Sequence, residues 1–205
     1  NNNTLIIFTR YPEPGKTKTR MIPALGAEGA AELQRQMSEH TLKNAQEWQK
    51  KSGGKIAIHF MGGNVSLMSN WLGKELNYYP QTTGNLGKKM HYAFNQAFEQ
   101  GATKVVTIGI DCPDLNINLL NRAFSDLSEH DLVLGKAEDG GYYLIALKRL
   151  IPELFQNINW GTAEVLAQTQ KIANDLNLNS SYLPTLRDID RPEDLFIWEK
   201  LTNKA

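Results

Sequence analysis

The stretch Val105–Leu115, VVTIGIDCPDL, constrains this chain more than any other. Val105 to Ile110 is a short β-branched run interrupted only by Thr107 and Gly109. A strand buried on both faces of a parallel sheet has this composition. The run ends in Asp111-Cys112-Pro113-Asp114. Pro113 has no backbone N–H and cannot continue a central strand, so the chain must leave the sheet there. Two carboxylates are therefore expected at the carboxyl end of a buried strand, where open α/β sheets bind ligands. A charge at the end of an apolar strand is costly unless it is paired or metal-bound, which makes Asp111 a candidate functional residue. Asp114 has a plainer alternative, as the cap of the following helix.

The rest of the chain alternates strand and helix. Strands are predicted at Leu5–Phe8, Lys55–Met61, Leu76–Tyr79, Val105–Ile110, Asp131–Gly135, Tyr142–Leu147 and Ser181–Leu183. Helices are predicted over 27–51, 66–72, 85–100, 117–127, 152–155, 162–176 and 192–201, from apolar residues spaced three or four apart. Gly140-Gly141 leaves room only for a tight, antiparallel link between the fifth and sixth strands. This alternation predicts an α/β fold, a three-layer sandwich whose mainly parallel sheet carries helices on both faces. No repeat, low-complexity tract or linker divides the chain, so residues 1–205 read as a single domain.

Composition narrows the partners. Lys plus Arg and Asp plus Glu balance at 22 each, so no global field draws the protein to nucleic acid or to an acidic membrane. No apolar run has the length of a membrane span, and Asn1–Thr4 has no feature of a signal peptide. The single cysteine, Cys112, rules out an internal disulfide framework and fits a reducing compartment. The expected location is the cytoplasm. Histidines 40, 59, 91 and 130 show no zinc spacing.

Four segments carry candidate chemistry. The loop after the first strand sets Arg10, Lys16, Lys18 and Arg20 against Glu13 alone. Gly15-Lys16-Thr17 is not a P-loop, because the glycine that motif needs five residues earlier is Arg10 here. A G-x-G-x-x-G fingerprint is also missing. What remains is a cationic loop suited to a nucleotide's diphosphate through Lys16, Lys18 and Arg20, or else a solvated basic loop. Glu138-Asp139-Gly140-Gly141 places carboxylates in a turn whose glycines permit close approach of a ligand. An ordinary Asp turn is the alternative. Thr162, after Asn159-Trp160-Gly161, reads as a helix cap, with Trp160 in the core. Asp190 with Glu193 reads as a capping box for the last helix, which leaves Asp188 without a role.

Read together, these segments resemble one family. Leu5–Phe8 with Pro14-Gly15-Lys16 and Lys18-Thr19-Arg20, Gly84-Asn85-Leu86-Gly87 with Met90, Asp111–Leu115, Asp139–Tyr143, Trp160-Gly161-Thr162 and Asp188–Leu195 follow the pattern of the bacterial radical-SAM/selenodomain-associated transferases. The match runs in order over nearly the whole chain. The resemblance implies a glycosyltransferase-A-like fold of the nucleotide-diphospho-sugar transferase type. It also implies a divalent metal, Mg²⁺ or Mn²⁺, and a nucleotide or nucleotide-sugar substrate with an unidentified acceptor. One position departs: the family has an acidic residue where this chain has Asn85.

On that footing Asp111 is expected to bind metal, partnered by Asp190 or Asp114. Arg10, Gly15, Lys16, Lys18 and Arg20 would hold the diphosphate, and Thr9 and Asn85 the base or ribose. Asp139 is the expected catalytic base beside Asp111. Glycosyl transfer is the favoured reaction. Nucleotidyl transfer with release of pyrophosphate and non-catalytic nucleotide binding are the alternatives, since one fold hosts many activities.

Overall fold

The computed structural model describes residues 1–203; the last two positions of the 1–205 span lie outside them. One seven-stranded sheet runs through the protein. Its strands are β1 (Asn3–Arg10), β2 (Lys55–Met61), β3 (Asn77–Pro80), β4 (Lys104–Ile108), β5 (Leu132–Ala137), β6 (Tyr142–Leu147) and β7 (Ser180–Leu186). They lie in the order β3-β2-β1-β4-β6-β5-β7, with β4 in the middle. β1 pairs in parallel with β2 and β4, β2 with β3, and β5 with β7. β6 alone runs antiparallel, against both β4 and β5.

Both faces are covered, as the alternation requires. On one face lie α1 (Ile22–Ser52), α4 (Ile117–Asp126) and α6 (Leu195–Thr202), where Trp48 stacks on Phe124 with ring centroids 4.8 Å apart. On the other lie α3 (Leu86–Glu99) and α5 (Val165–Asp175), with Phe94 against Phe155 over Ile6, Val105 and Ile145. The short α2 (Val65–Leu72) buries Met68 on the first face. β4 contributes Val106 and Ile108 to one core and Val105 to the other, which is why its sequence is apolar without alternation.

Local signals set the helix ends. Asn64, Asn85 and Asn116 cap α2, α3 and α4, each accepting a bond from the backbone N–H three residues on. α1 is kinked at Gly26, so its regular part starts where the periodicity begins. Two expectations shift. α5 starts at Val165, not at Thr162; the Thr162 hydroxyl donates to the carbonyl of Asn159 and closes the loop before it. The cap at the last helix is Asp194, not Asp190 with Glu193: its carboxylate accepts from the N–H groups of Asp190 and Arg191 and pairs with Arg187.

The direction of winding reverses between β1 and β4. From β1 the chain moves outward through β2 to β3, then returns to place β4 on the other side of β1. In open α/β sheets such a reversal leaves a crevice at the carboxyl ends of the two strands, where Arg10 ends β1 and Asp111 follows β4.

Candidate active site

At the carboxyl end of β4, Asp111 is tied to the segment that follows β7. Its carbonyl accepts a 2.8 Å bond from the N–H of Ile189. This backbone link sets Asp188 beside Cys112, whose thiol donates to Asp188 Oδ1 at 3.1 Å. Asp139, in the β5–β6 turn, lines the same cavity as Asp188, close enough for its charge to act on that carboxyl. Three carboxyl groups, Asp111, Asp139 and Asp188, from three separate parts of the chain therefore line one cavity, near enough for the charges of Asp139 and Asp111 to act on Asp188. Burial first, then the charges of Asp139 and Asp111, push Asp188 up to about 7, while the Cys112 hydrogen bond opposes the rise. Asp188 Oδ2 is buried and has no partner. The same burial and the negative charge of Asp188 push the Cys112 thiol far up, so it is a neutral donor and not a nucleophile.

The β5–β6 turn depends on Gly140. Its φ is +91°, and a Cβ there would run into the carbonyl oxygen of Ala163. The close approach lets the Gly140 carbonyl accept from Leu166 N–H at 2.9 Å, which anchors loop 160–164 against the turn. Asp139 Oδ1 accepts from Gly141 N–H at 2.9 Å, so the ordinary Asp turn is present and also fixes the carboxylate's direction.

The cationic loop is arranged differently from the expectation. Lys16 pairs with Glu13 at 2.8 Å and its side chain is 71% exposed. Arg20 pairs with Asp190. Lys18 takes a left-handed conformation, φ 45° and ψ 47°, uncommon outside glycine. This sends its ammonium inward onto Asp111 Oδ1 at 2.8 Å and the Ile189 carbonyl at 3.0 Å, with only 5% of the side chain exposed. Gly15, at φ +82°, makes the turn between these residues. Lys16, Lys18 and Arg20 thus each already hold a carboxylate. Arg10 and Lys89 converge instead on the Met61 sulfur, at 3.7 and 3.0 Å, and neither has an acidic partner within salt-bridge distance among the described residues. Burial and the Arg10 charge lower the Lys89 pKa, a sign of positive charge without compensation.

Four expected site residues move away from the chemistry. The Thr9 hydroxyl is buried against Ser38 and Gln34, under α1. The Asn85 side chain is occupied as the α3 cap. Asp114 is exposed in the turn after β4 and neither lines the cavity nor caps α4, a role taken by Asn116. Asp190 lines the cavity but is held by Arg20. Asp188 and Lys89 are the residues that sequence reasoning missed. Asp188 has no role in the sequence beside Asp190 and Glu193, which read as a capping box, and Lys89 lies inside a helix with no local signal.

Beside the carboxyl cluster opens a cavity of about 950 Å³. Its outer wall is charged, with Arg20, Asp111, Asp139, Arg187, Asp188 and Arg191. It continues along the sheet face beneath α3, past Phe8, Met90, Tyr142, Ile145 and Trp160. Gly87 admits this arrangement at the start of α3, since a Cβ there would lie 2.9 Å from Trp160 Nε1.

With the geometry in view, residues 42–162 match the family described as "Uncharacterized protein conserved in bacteria (DUF2064)". The chain belongs to this family. A family-level relative in structure, from Desulfovibrio desulfuricans G20 and provisionally named a nucleotide-diphospho-sugar transferase, is 32% identical over 93% of this chain and 83% of that one, with a TM-score of 0.87. Two more distant structures share the fold. A CMP:2-keto-3-deoxy-manno-octonic acid synthetase complexed with CTP has a TM-score of 0.63 at 8% identity, covering 100% of this chain and 99% of that one. A Mycobacterium tuberculosis protein in complex with manganese has a TM-score of 0.58 at 12% identity, covering all of both chains. No curated protein sequence matches the chain. The expected α/β architecture of the nucleotide-diphospho-sugar transferase type is thereby established for this family member. No helix among the described residues is long and apolar enough to cross a membrane.

Proposed function

We propose that this protein is a divalent-metal-dependent transferase acting on a nucleotide-diphospho-sugar, and that it transfers the sugar to a hydroxyl acceptor. The observation that carries this reading is the convergence of Asp111, Asp139 and Asp188 on the rim of one cavity, beside the carboxyl end of the switch-point strand β4. The name of the 32%-identical relative supports it.

The residues fit a metal such as Mg²⁺ or Mn²⁺. The donors are hard carboxylate oxygens, and Asp188 Oδ2 is a buried oxygen without a partner. Among the described residues no group of three or more His, Cys, Asp or Glu is preassembled as a cage. That suits an ion held by one or two carboxylates and completed by substrate phosphate and water. Asp111 and Asp188 would hold it, and Asp188 replaces the expected partners Asp114 and Asp190. When bound, the ion stabilises charge on the departing diphosphate.

The chain's own groups do the rest. The diphosphate lies in the crevice between β1 and β4, held by Arg10 and Lys89 together with the loop cations Lys16, Lys18 and Arg20. Gly15 shapes that loop. Thr9 and Asn85 are not retained as ligands. Asp139, oriented by Gly141 N–H, takes the acceptor's proton as its oxygen attacks the sugar carbon. The bond from that carbon to the diphosphate breaks, and a nucleoside diphosphate leaves. Two observations favour nucleotidyl transfer as a second reading: five cations around the crevice exceed the needs of a diphosphate, and a protein of the same fold binds CTP. There the acceptor's phosphate oxygen would attack the α-phosphorus and pyrophosphate would leave.

The test is a thermal-shift panel of nucleoside di- and triphosphates and nucleotide-sugars, with and without Mn²⁺, followed by product analysis. A metal-dependent shift with a nucleotide-sugar and release of nucleoside diphosphate is expected, and Asp111→Asn should abolish both. Release of pyrophosphate would establish the second reading. Binding without turnover on any acceptor would leave a nucleotide-binding protein. A folded sample shifted by none of these ligands would refute the proposal.

A further inference from the structure

The cavity changes character with depth. Its rim carries the charges, whereas its inner walls are Phe8, Met90, Ile145, Tyr142 and Trp160, with no charged side chain among them. At the inner end lies Thr107, on β4 four residues before Asp111, a separation of at most about 13 Å for a fully extended chain. Thr107 is 4% exposed, and its hydroxyl has no partner. Trp160 Nε1 is buried without a partner too. The Tyr142 hydroxyl reaches only the Met90 sulfur, at 3.7 Å, and burial holds it firmly protonated. Three donors with missing or weak partners thus surround an apolar space. Buried polar groups are normally satisfied, and the exceptions mark places where something else supplies the bond.

We infer that this inner recess binds the body of the acceptor, and that the acceptor is a neutral, apolar-bodied ring compound with an oxygen at each end. The inference rests on the transferase reading above and adds the substrate class. The inner oxygen meets the Thr107 hydroxyl. The outer oxygen is the nucleophile and faces Asp139. A phosphorylated or carboxylated body is excluded because no cation lies in the inner part to receive it. A free sugar is disfavoured because most of its hydroxyls would meet apolar walls. The volume also exceeds what the transferred group alone would fill, being near the top of the range for small-molecule sites.

The probe is 2,6-dihydroxynaphthalene, titrated against the ligand-free protein by calorimetry, with 2-methylnaphthalene, 2-naphthoate and methyl glucoside as comparisons. The diol should bind, and 2-naphthoate and methyl glucoside should not. Thr107→Val keeps the shape and removes the hydroxyl; it should weaken the diol roughly 3- to 10-fold, the worth of one hydrogen bond, and leave 2-methylnaphthalene unchanged. Leu86→Trp, at an exposed position on the cavity wall, should abolish binding of both. Diol binding indifferent to both variants, preferential binding of methyl glucoside or 2-naphthoate, or no diol binding would each overturn the inference. The nucleotide-sugar shift measured on the same samples separates the two proposals: if it persists while the diol fails, only the acceptor class falls.

Discussion

Replacing Asp188 by Asn should stabilise the ligand-free protein above neutral pH while removing its response to metal and nucleotide together. The carboxyl rises from an ordinary value near 3.8 to about 7, first through burial and then through Asp139 and Asp111. At 1.36 kcal/mol per pH unit that rise corresponds to about 4 kcal/mol. The site is half-buried, and solvent screening leaves about 1–2 kcal/mol of it. The sign follows from proton counting. Between pH 4 and 7 the native state holds a proton that the unfolded chain has released, so stability falls as pH rises through that window. Above pH 7 the full penalty is present. Asparagine keeps the shape and still accepts from the Cys112 thiol, but carries no charge. For a chain of this size the gain is about 3–6 °C in melting temperature at pH 8. At pH 4, where Asp188 is protonated in the native protein, the two proteins should melt within a degree of each other. His59 works in the opposite sense: burial lowers it to about 4, so stability is lost as pH falls from 6.5 towards 4. The wild-type curve alone mixes the two effects, and the difference between variant and wild type cancels the His59 part. Differential scanning calorimetry from pH 4 to 8 measures it. With Mn²⁺ and a nucleoside diphosphate the order should reverse, because only the wild type gains from binding. A variant less stable than wild type at pH 8, or a gain independent of pH, would refute the account of the carboxyl cluster.

Other outcomes follow from single contacts. Gly140→Ala forces a side chain into a φ of +91° and into the Ala163 backbone, so urea unfolding should show a loss of at least about 2 kcal/mol. Arg10→Ala and Lys89→Ala should each weaken nucleotide binding about 10-fold by calorimetry with little change in melting temperature, whereas the exposed Lys16→Ala should change it by less than about 3-fold. Asp114→Asn should leave metal-dependent binding unchanged, since the residue does not line the cavity; a loss of binding would restore it as a ligand.

The sheet was legible because strands buried on both faces are written as apolar runs, and all seven expected strands exist within a few residues. The asparagine caps and Gly26 shaped helix ends that periodicity alone leaves vague. The antiparallel β6 followed from the shortness of the Gly140-Gly141 link. The site was less legible, for a physical reason. Carboxylates at 188, 190 and 194 are alike in sequence, and what separates them is which one the backbone bond from Ile189 N–H to the Asp111 carbonyl turns toward Cys112. Such a bond between residues 78 apart leaves no local trace.

The ion pairs of the loop add a further step. Lys18 on Asp111 and Arg20 on Asp190 join the segment after β1 to the segment after β7 across the end of β4. Each pair stands where the proposed ligands would go, so binding must exchange partners: phosphate takes the cations and the metal takes Asp111. An exposed pair such as Arg20–Asp190 costs little to open, about 0–1 kcal/mol. Lys18 is different, because its side chain is buried and leaving its ammonium without a partner there is costly, whereas Asp111 is itself half exposed. Metal and phosphate arriving together avoid that cost, since the ion compensates Asp111 as phosphate compensates Lys18. Mn²⁺ alone or nucleotide alone should therefore bind at least about 10-fold more weakly than each does in the presence of the other, a coupling of 1.4 kcal/mol or more. Lys18→Met, which leaves no ammonium to displace, should bring that coupling down toward unity. Calorimetric titration of each ligand at zero and saturating levels of the other measures it. Equal affinities in both titrations would show that the Lys18 contact plays no part in ligand entry.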